Sequence, residues 1–308
     1  MTILSFIVST KNNASTIKFV IHSICLTAIH LRSKCNVTTE LILVDGMSKD
    51  GTIEKAGREI IQCENFLYRV RILQDPGLSL SFSREIGLRH SVGDIVVFLD
   101  GDIILSHSFM TNICKYIRKI NKWGALIPYT IIIPLKGPSS IFNMFVTHVL
   151  QRQFENMFPR IVRSNIIRGK PFWGLLSRFW GEDKLLLQQL KIQRVRILFA
   201  QDLVVYKYEE SSFINYWHKH IRYGEGMCKD LNKYAKRILL KDIVLRRLSY
   251  INIIFPLLSL YTFILMVLTM KNVSLKDRII NSVKVSLLRY LIRLAMMVGD
   301  IKEGCILK

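Results

Sequence analysis

Short, mostly apolar blocks separated by amphipathic stretches organise the first hundred residues. Ile3 to Val8, Glu40 to Val44, Tyr68 to Leu73 and Ile95 to Leu99 are rich in β-branched and aromatic side chains and too short to be helices, so they read as buried strands. Helical periodicity runs between them: from Ser15, a candidate N-cap, to about Leu31; after Asp50-Gly51-Thr52 to about Cys63; and from Ser81 to His90. A polar loop follows each of the first strands, and a helix follows each loop. Such βα units predict a parallel sheet covered on both faces. The apolar start has no basic residue before it and is too short for a signal-peptide core, which makes it a first strand.

Further along, a helix is predicted from Phe109 to Ile120, then an edge or mixed strand over Ala125 to Ile133, punctuated by Pro128 and Pro134. Trp180-Gly181-Glu182-Asp183 leads into a helix from Lys184 to Leu190. Arg194 to Phe199 and Leu203 to Tyr208 read as two strands, and a long helix opening at Ser211 holds Trp217, His218, Lys219, His220, Arg222 and Tyr223. No repeat and no low-complexity segment interrupts the pattern. Ile251 to Met270 then runs for twenty residues without a charge, about 30 Å as a helix, enough to cross the hydrocarbon core. Ile279 to Val298 is apolar too but carries Lys284, Arg289 and Arg293. It either returns across the bilayer or lies flat with its cations snorkelling, the flat form being favoured. The expected division is a catalytic domain over 1–228 and a helical membrane-attachment region over 229–308.

Composition sharpens this picture. Half of the 308 residues are apolar, yet the chain carries 44 Lys plus Arg and a net charge of +21. That combination suits an anionic lipid surface or a diphosphate ligand. A nucleic-acid partner is set aside, because much of the basic charge adjoins apolar helices and no nucleic-acid motif is present. Lys229, Lys233, Lys236, Arg237, Lys241, Arg246 and Arg247 precede the uncharged run, which by the positive-inside rule puts the catalytic domain on the cytoplasmic side. The six cysteines have no C-x-x-C pair and no regular spacing, so neither a zinc site nor a disulfide framework is expected, and reduced thiols in the cytosol fit.

Candidate chemistry sits at strand ends. Asp100 and Asp102 follow the fourth strand with only Gly101 between them, so residues i and i+2 can aim oxygens at one point. Ligands of open α/β sheets bind at that carboxyl edge. Two close carboxylates call for a cation between them, pointing to a hard divalent ion; a polar turn before the next helix is the alternative. Asp45 ends the second strand, where it can accept from a ring N–H or a ribose hydroxyl, while Asp50 either joins it or caps a helix. No G-x-G-x-x-G and no P-loop is present, so phosphates need a metal or cationic side chains. Glu182 and Asp183 at a helix start suit a general base or merely complement the helix dipole.

In combination, VDGMSKDGT, SREIGLRHSVGDIVVFLDGD, GEDKLL and SFINYWHKHIRYGEG resemble the inverting family 2 glycosyltransferases, over roughly Thr2 to Met227. The resemblance implies a GT-A fold, an α/β architecture with a mostly parallel sheet flanked by helices, here followed by C-terminal membrane-associated helices. It implies a nucleoside-diphosphate sugar donor across the sheet edge. Asp45 would contact the base, Thr10 and Arg84 would hold the nucleoside, and Asp100 with Asp102 would hold ribose and a divalent metal, Mn or Mg. Three positions depart from the family pattern. Lys11 replaces the usual Tyr of the first loop, and Glu85 follows Arg84 where Asn is common. Lys207 stands where many members have a metal-binding His, and as a cation it can face the diphosphate directly. Gln-x-x-Arg-Trp is missing, so a single addition is expected and not polymer synthesis.

Departure of a nucleoside diphosphate builds charge that a metal on Asp102, assisted by His218, Lys219 or Arg222, would neutralise. Asp183 is the expected base for an acceptor hydroxyl, on a glycan or a lipid-linked sugar, with Glu182 as its alternative. A non-catalytic sugar-nucleotide-binding membrane scaffold is the competing reading. Retention of Asp45, Asp100, Asp102 and Asp183 speaks against it.

Overall fold

The computed structural model describes residues 2–77, 79–134, 158–170, 182–209, 217–225 and 274–302, with residues 214 and 264. The uncharged run 251–270, Ile264 apart, and the basic stretch before it lie outside the described residues.

Strand β1 (Ile3–Thr10) is followed by α1 (Ile17–Cys35), β2 (Thr38–Asp45) by α2 (Thr52–Ile61), and β3 (Arg69–Gln74) by α3 (Leu80–His90). Then come β4 (Ile95–Asp100), β5 (Ile103–Leu105), α4 (His107–Ile117), β6 (Ala125–Pro134), β7 (Ile161–Arg163) and β8 (Ile197–Glu209). They form an eight-stranded sheet in the order β3-β2-β1-β4-β7-β6-β8-β5. The first four strands are parallel, whereas β7 runs antiparallel to β4 and β6, and β5 runs antiparallel to β8. The sheet is therefore mixed and not mostly parallel. After β4 the chain returns through α4 to β6, which runs in the same sense as β4, but the antiparallel β7 is inserted between them.

Several boundaries correct the sequence reading. The two strands expected between Arg194 and Tyr208 are one. Asp202, which looked like a turn residue, points at α4 instead, accepting from Lys115 Nζ at 2.7 Å and from the Tyr116 hydroxyl. Helices α3 and α4 begin earlier than expected because Ser79 and Ser106 are the caps, accepting from Phe82 N and Phe109 N at 3.1 Å each. β6 lies inside the sheet, not at its edge. The cysteines also depart from expectation: Cys25 joins Cys63 and Cys35 joins Cys114, each with Cα atoms 5.8 Å apart. Partners 38 and 79 residues apart leave no trace in local spacing, since the packing of α1 beside α2 and α4 is what brings them together.

Apolar layers cover both faces. Phe6, Val8, Ile21, Ile24, Leu43 and Ile113 belong to the layer shared with α1, α2 and α4, and Ile7, Val44, Phe98, Leu88 and Leu186 to the layer under α3 and the helix Glu182–Ile192. Burying side chains of this size stabilises by about 1.5–3 kcal/mol each relative to exposure.

The chain divides into two compact units, Met1–Ile131 with Phe154–Tyr208 and Ile132–Gln153 with Glu209–Lys308. In the second, residues 217–225 are helical and meet the helix Leu275–Lys302. The contact is backbone to backbone: a Cβ on Gly224 would come within 2.0 Å of the Met296 carbonyl oxygen, and one on Gly299 within 2.1 Å of that of Ile221. The long helix leaves Leu275, Ile279, Val283 and Leu287 exposed at a spacing of four, a single stripe. Among the described residues no helix is long and apolar enough to cross a membrane.

Candidate active site

Parallel pairing brings four strand ends together. Thr10 stands opposite Asp45, Asp45 opposite Gln74, and Ser9 opposite Asp100. Thr10, Asp45, Asp100 and Asp102 are thus gathered at one carboxyl edge, and α3 brings Arg84 to the same place, its Nη2 2.8 Å from Asp100 Oδ1.

The loops of this edge are tied to each other. Asn12 N donates to Ser48 Oγ at 2.8 Å, Lys49 N to Asn12 Oδ1 at 3.0 Å, and Asn13 N to Thr52 Oγ1 at 2.8 Å. Asp50 accepts from Ala14 N at 2.9 Å and Thr52 N at 3.2 Å, so it brackets two loops and starts a helix; these bonds hold its carboxyl below the ordinary range against the upward push of burial. Asp45 accepts from Ser48 N at 2.9 Å and from its hydroxyl, and its carbonyl accepts Asp75 N at 2.8 Å. Lys11 lies over this corner, its Nζ 3.5 Å from the Gly77 carbonyl and its stem against Gly46. A flexible cation therefore occupies the place where the family resemblance implies a Tyr is usual.

Gly101 is a steric requirement. A Cβ there would meet Thr10 Oγ1 at 2.5 Å and Asn13 Oδ1 at 2.6 Å, while its N–H donates to Ser9 O at 2.9 Å and its carbonyl accepts Thr16 Oγ1 at 2.7 Å. The Asp-Gly-Asp turn is pinned from the first loop.

Asp100 is held by two guanidiniums, Arg84 at 2.8 Å and Arg160 Nη1 at 3.5 Å. Both cations also face the Phe158 ring, with Cζ atoms 4.3 and 4.9 Å from its centroid. Burial alone would raise the Asp100 carboxyl, but Arg84, Arg160 and Lys207 together hold it well below the usual carboxylate range. Lys207 arrives from β8, paired with Ile103, and the next residue, Tyr208, donates its N–H to the Asp102 carbonyl at 2.9 Å.

Sequence reasoning missed Phe158 and Arg160, some sixty residues beyond the carboxylates and without a motif of their own. It also passed over Asp75 in the loop after the third strand; that side chain is buried and accepts from Gly77 N and Ser83 Oγ, which fixes the third loop beside Asp45.

Glu182 and Asp183 begin the helix Glu182–Ile192 as expected, and their side chains lie outside the described residues. His218, Lys219 and Arg222 fall in the second unit. There Lys219 is paired with buried Glu209, and His218 and Arg222 are exposed.

A family model for glycosyl transferase family 2 matches residues 5–169, just over half of the chain. The chain belongs to that family. Solved structures of two proteins are among those similar to this glycosyltransferase across nearly its whole length. A mannosyltransferase from Pyrobaculum calidifontis, PcManGT, solved with GDP-Man and Mn2+, has a TM-score of 0.56 and 16% identity, covering 99% of this chain and 88% of that one. S. aureus TarS 1-349, solved with UDP, has a TM-score of 0.50 and 16% identity, covering 99% and 92%. The same TarS segment solved with UDP-GlcNAc gives 0.50 and 13%. These likenesses are of fold. No curated protein matches by sequence.

Asp100 already has a guanidinium on each oxygen, and among the described residues no three His, Cys, Asp or Glu side chains converge as an ion's ligands would. Asp102 stays at the edge beside the β8 strand that carries Lys207.

Proposed function

We propose that this family 2 glycosyltransferase moves a hexosyl group from a nucleoside-diphosphate sugar to an acceptor hydroxyl, on a glycan or a lipid-linked sugar, with inversion. The observation that carries the reading is the convergence of Thr10, Asp45, Arg84, Asp100 and Asp102 on one sheet edge in a family 2 chain. The donors seen in the similar structures, UDP-GlcNAc and GDP-Man, give the substrate class.

The base lies against the Asp45–Asp75 corner, under Lys11. Ribose and sugar hydroxyls donate to the carboxylates of the Asp-Gly-Asp turn. The buried Arg84–Asp100–Arg160 cluster keeps that turn rigid, so the donor meets oxygens already in position. Asp183, or Glu182 beside it, takes the acceptor's proton, a contribution of about 10²–10⁴-fold for a positioned carboxylate. Attack from the face opposite the diphosphate inverts the anomeric centre.

Attachment to an anionic membrane through residues 229–308, with the catalytic unit cytoplasmic, is part of the same proposal. It is supported by the uncharged run 251–270, its basic flank and the apolar stripe Leu275, Ile279, Val283 and Leu287.

The test compares two variants of the full chain. Asp102→Ala is expected to weaken nucleotide-sugar binding in a thermal-shift assay by about tenfold or more. Asp183→Asn is expected to bind the donor like wild type while release of nucleoside diphosphate falls by about 10²-fold or more. Equal loss of donor affinity in both would defeat the assignment of the two acids. Donor turnover by Asp183→Asn at the wild-type rate would defeat the base.

A further inference from the structure

Where β1, β2 and β3 end together, backbone donors are spent inside the protein. The N–H of Gly46 goes to the Thr10 carbonyl at 2.8 Å, that of Ser48 to Asp45 Oδ2 at 2.9 Å, that of Asp75 to the Asp45 carbonyl at 2.8 Å, and that of Gly77 to Asp75 Oδ1. Pro76 has none to offer. Acceptors are in surplus: the Asp45 carboxylate takes the Ser48 N–H on one oxygen and the Ser48 hydroxyl on the other, which leaves a lone pair on each. The Lys11 ammonium has the opposite surplus. It carries three N–H groups and meets the Gly77 carbonyl at 3.5 Å, the outer limit of a hydrogen bond.

Two glycines keep Lys11 in place over this corner. A Cβ on Gly46 would meet Lys11 Cδ at 3.3 Å, and one on Gly77 would meet Lys11 Nζ at 2.9 Å and the Gly46 carbonyl oxygen at 3.0 Å. Gly77 also has a φ of +68°, so conformation and space both call for glycine there. The side chain thus starts after β1, crosses the end of β2 and holds its charge over the loop after β3. Strand order β3-β2-β1-β4 then sets what a donor meets. With ribose at the Asp-Gly-Asp turn after β4, a base directed across β1 reaches the Asp45 carboxylate first and the Lys11 ammonium farther out. In a pyrimidine the ring nitrogen at position 3 is the nearer group and the substituent at position 4 the farther. Uracil and thymine present N–H and then C=O in that order, which suits an acceptor followed by a cationic donor. Guanine carries the same pair side by side. Cytosine and adenine carry the inverse, an unprotonated nitrogen beside an amino group, which sets a lone pair against the carboxylate and N–H against the ammonium.

We infer that Lys11 selects the base of the sugar donor, favouring uracil, thymine or guanine, whose carbonyl accepts from its ammonium, over cytosine and adenine. The inference rests on the donor-binding reading above and adds to it a specificity-determining residue. A site that donates to a carbonyl rejects the analogue with an amino group there, because its own donor is left without a partner.

Calorimetric titration of the full-length protein with UDP, CDP, GDP and ADP, all in MnCl2, reads the choice within two pairs of equal ring size. In the pair that binds more tightly, the keto member is expected to bind about tenfold or more tighter than the amino member. Lys11→Met keeps the stem over Gly46 and removes the N–H groups. It is expected to weaken the keto member by about tenfold and to leave the amino member within about threefold, so that the preference disappears. Unliganded melting temperatures check the fold, and if Lys11→Met melts early, Lys11→Ala is titrated in its place. Equal binding of both members by the wild type, or a preference for the amino member, overturns the inference and leaves the donor site standing. A Lys11 variant that keeps the wild-type preference also overturns it. So does one that weakens both members alike, the sign of a cation serving the diphosphate they share. No binding of any of the four nucleotides overturns the donor-binding reading itself.

Discussion

Each end of the parallel sheet holds a carboxylate with arginine beside it, and the two are used in opposite ways. At the amino edge, Glu40 is fully buried and accepts from Ser5 Oγ, from Arg69 Nε at 3.0 Å, from Val92 N at 2.6 Å and from Gly93 N at 3.2 Å. The Gly93 N–H also reaches Ser5 Oγ at 2.9 Å. Every donor belongs to the protein, and the cluster seals the turn that feeds β4. At the carboxyl edge, Asp100 meets guanidiniums on both oxygens yet keeps 17% of its side chain exposed, in a rim of strand ends and tied loops. A carboxylate saturated from all sides braces the fold. One neutralised from behind and open in front is arranged for a ligand. Charge alone does not separate these cases; donor count and exposure do.

The largest effect is expected from removing the brace. Glu40→Ala removes the carboxylate from a half-buried guanidinium and the acceptor of the Val92 N–H, and leaves the Gly93 N–H with Ser5 Oγ alone, which costs about 3–5 kcal/mol in urea unfolding. Nucleotide affinity of the protein that remains folded is expected to stay at the wild-type level. Affinity falling in step with stability would erase the distinction between the two edges.

Gly101→Ala is the intermediate case. Its Cβ meets Thr10 Oγ1 and Asn13 Oδ1 well inside contact distance, so about 1–3 kcal/mol of stability is lost by overpacking. Donor binding is expected to fall more steeply than stability, because the strain lies in the turn that carries both aspartates. A melting shift with unchanged nucleotide affinity would place the ligand elsewhere.

The smallest effect is a pH dependence. In the folded state Asp100 has its carboxyl depressed by its arginines, so its stabilising share is present above the unfolded value of about 3.9 and is lost as pH falls through the lower folded value. Asp100→Asn is therefore expected to flatten the acid limb of the stability curve below about pH 4, by on the order of 1 kcal/mol. An unchanged acid limb, measured by denaturant midpoints from pH 5 downwards, would mean that the pair is solvated and not buried.

Much of this arrangement was legible in the sequence because it is local. The run Ile95 to Leu99 had to be a strand, and the Asp-Gly-Asp after it had to stand at its carboxyl end. Asp45 followed from the same alternation of strand, loop and helix, and Thr10 from the family resemblance. Arg160 and Phe158 were not legible: their role depends on a segment brought back beside β4 by antiparallel pairing, and no spacing encodes that return. The cystines failed for the same reason. The gap left between Phe199 and Leu203 misled in the other direction, since Gln201 and Asp202 continue one strand and the Asp202 carboxylate is taken up by a neighbouring helix. Asp75 was visible only as punctuation.

The tied loops after β1 and β2 carry a kinetic consequence. Because Asn12, Asn13, Ser48, Asp50 and Thr52 are bonded to one another before any nucleotide arrives, the ordering entropy of that surface is spent during folding and not at encounter. On the proposed reading, a nucleobase approaching this corner meets loops after β1 and β2 that are already bonded to one another, so these two loops need not be ordered at encounter. Differences among bases then reside in residence time, in how long each stays and not in how fast it comes.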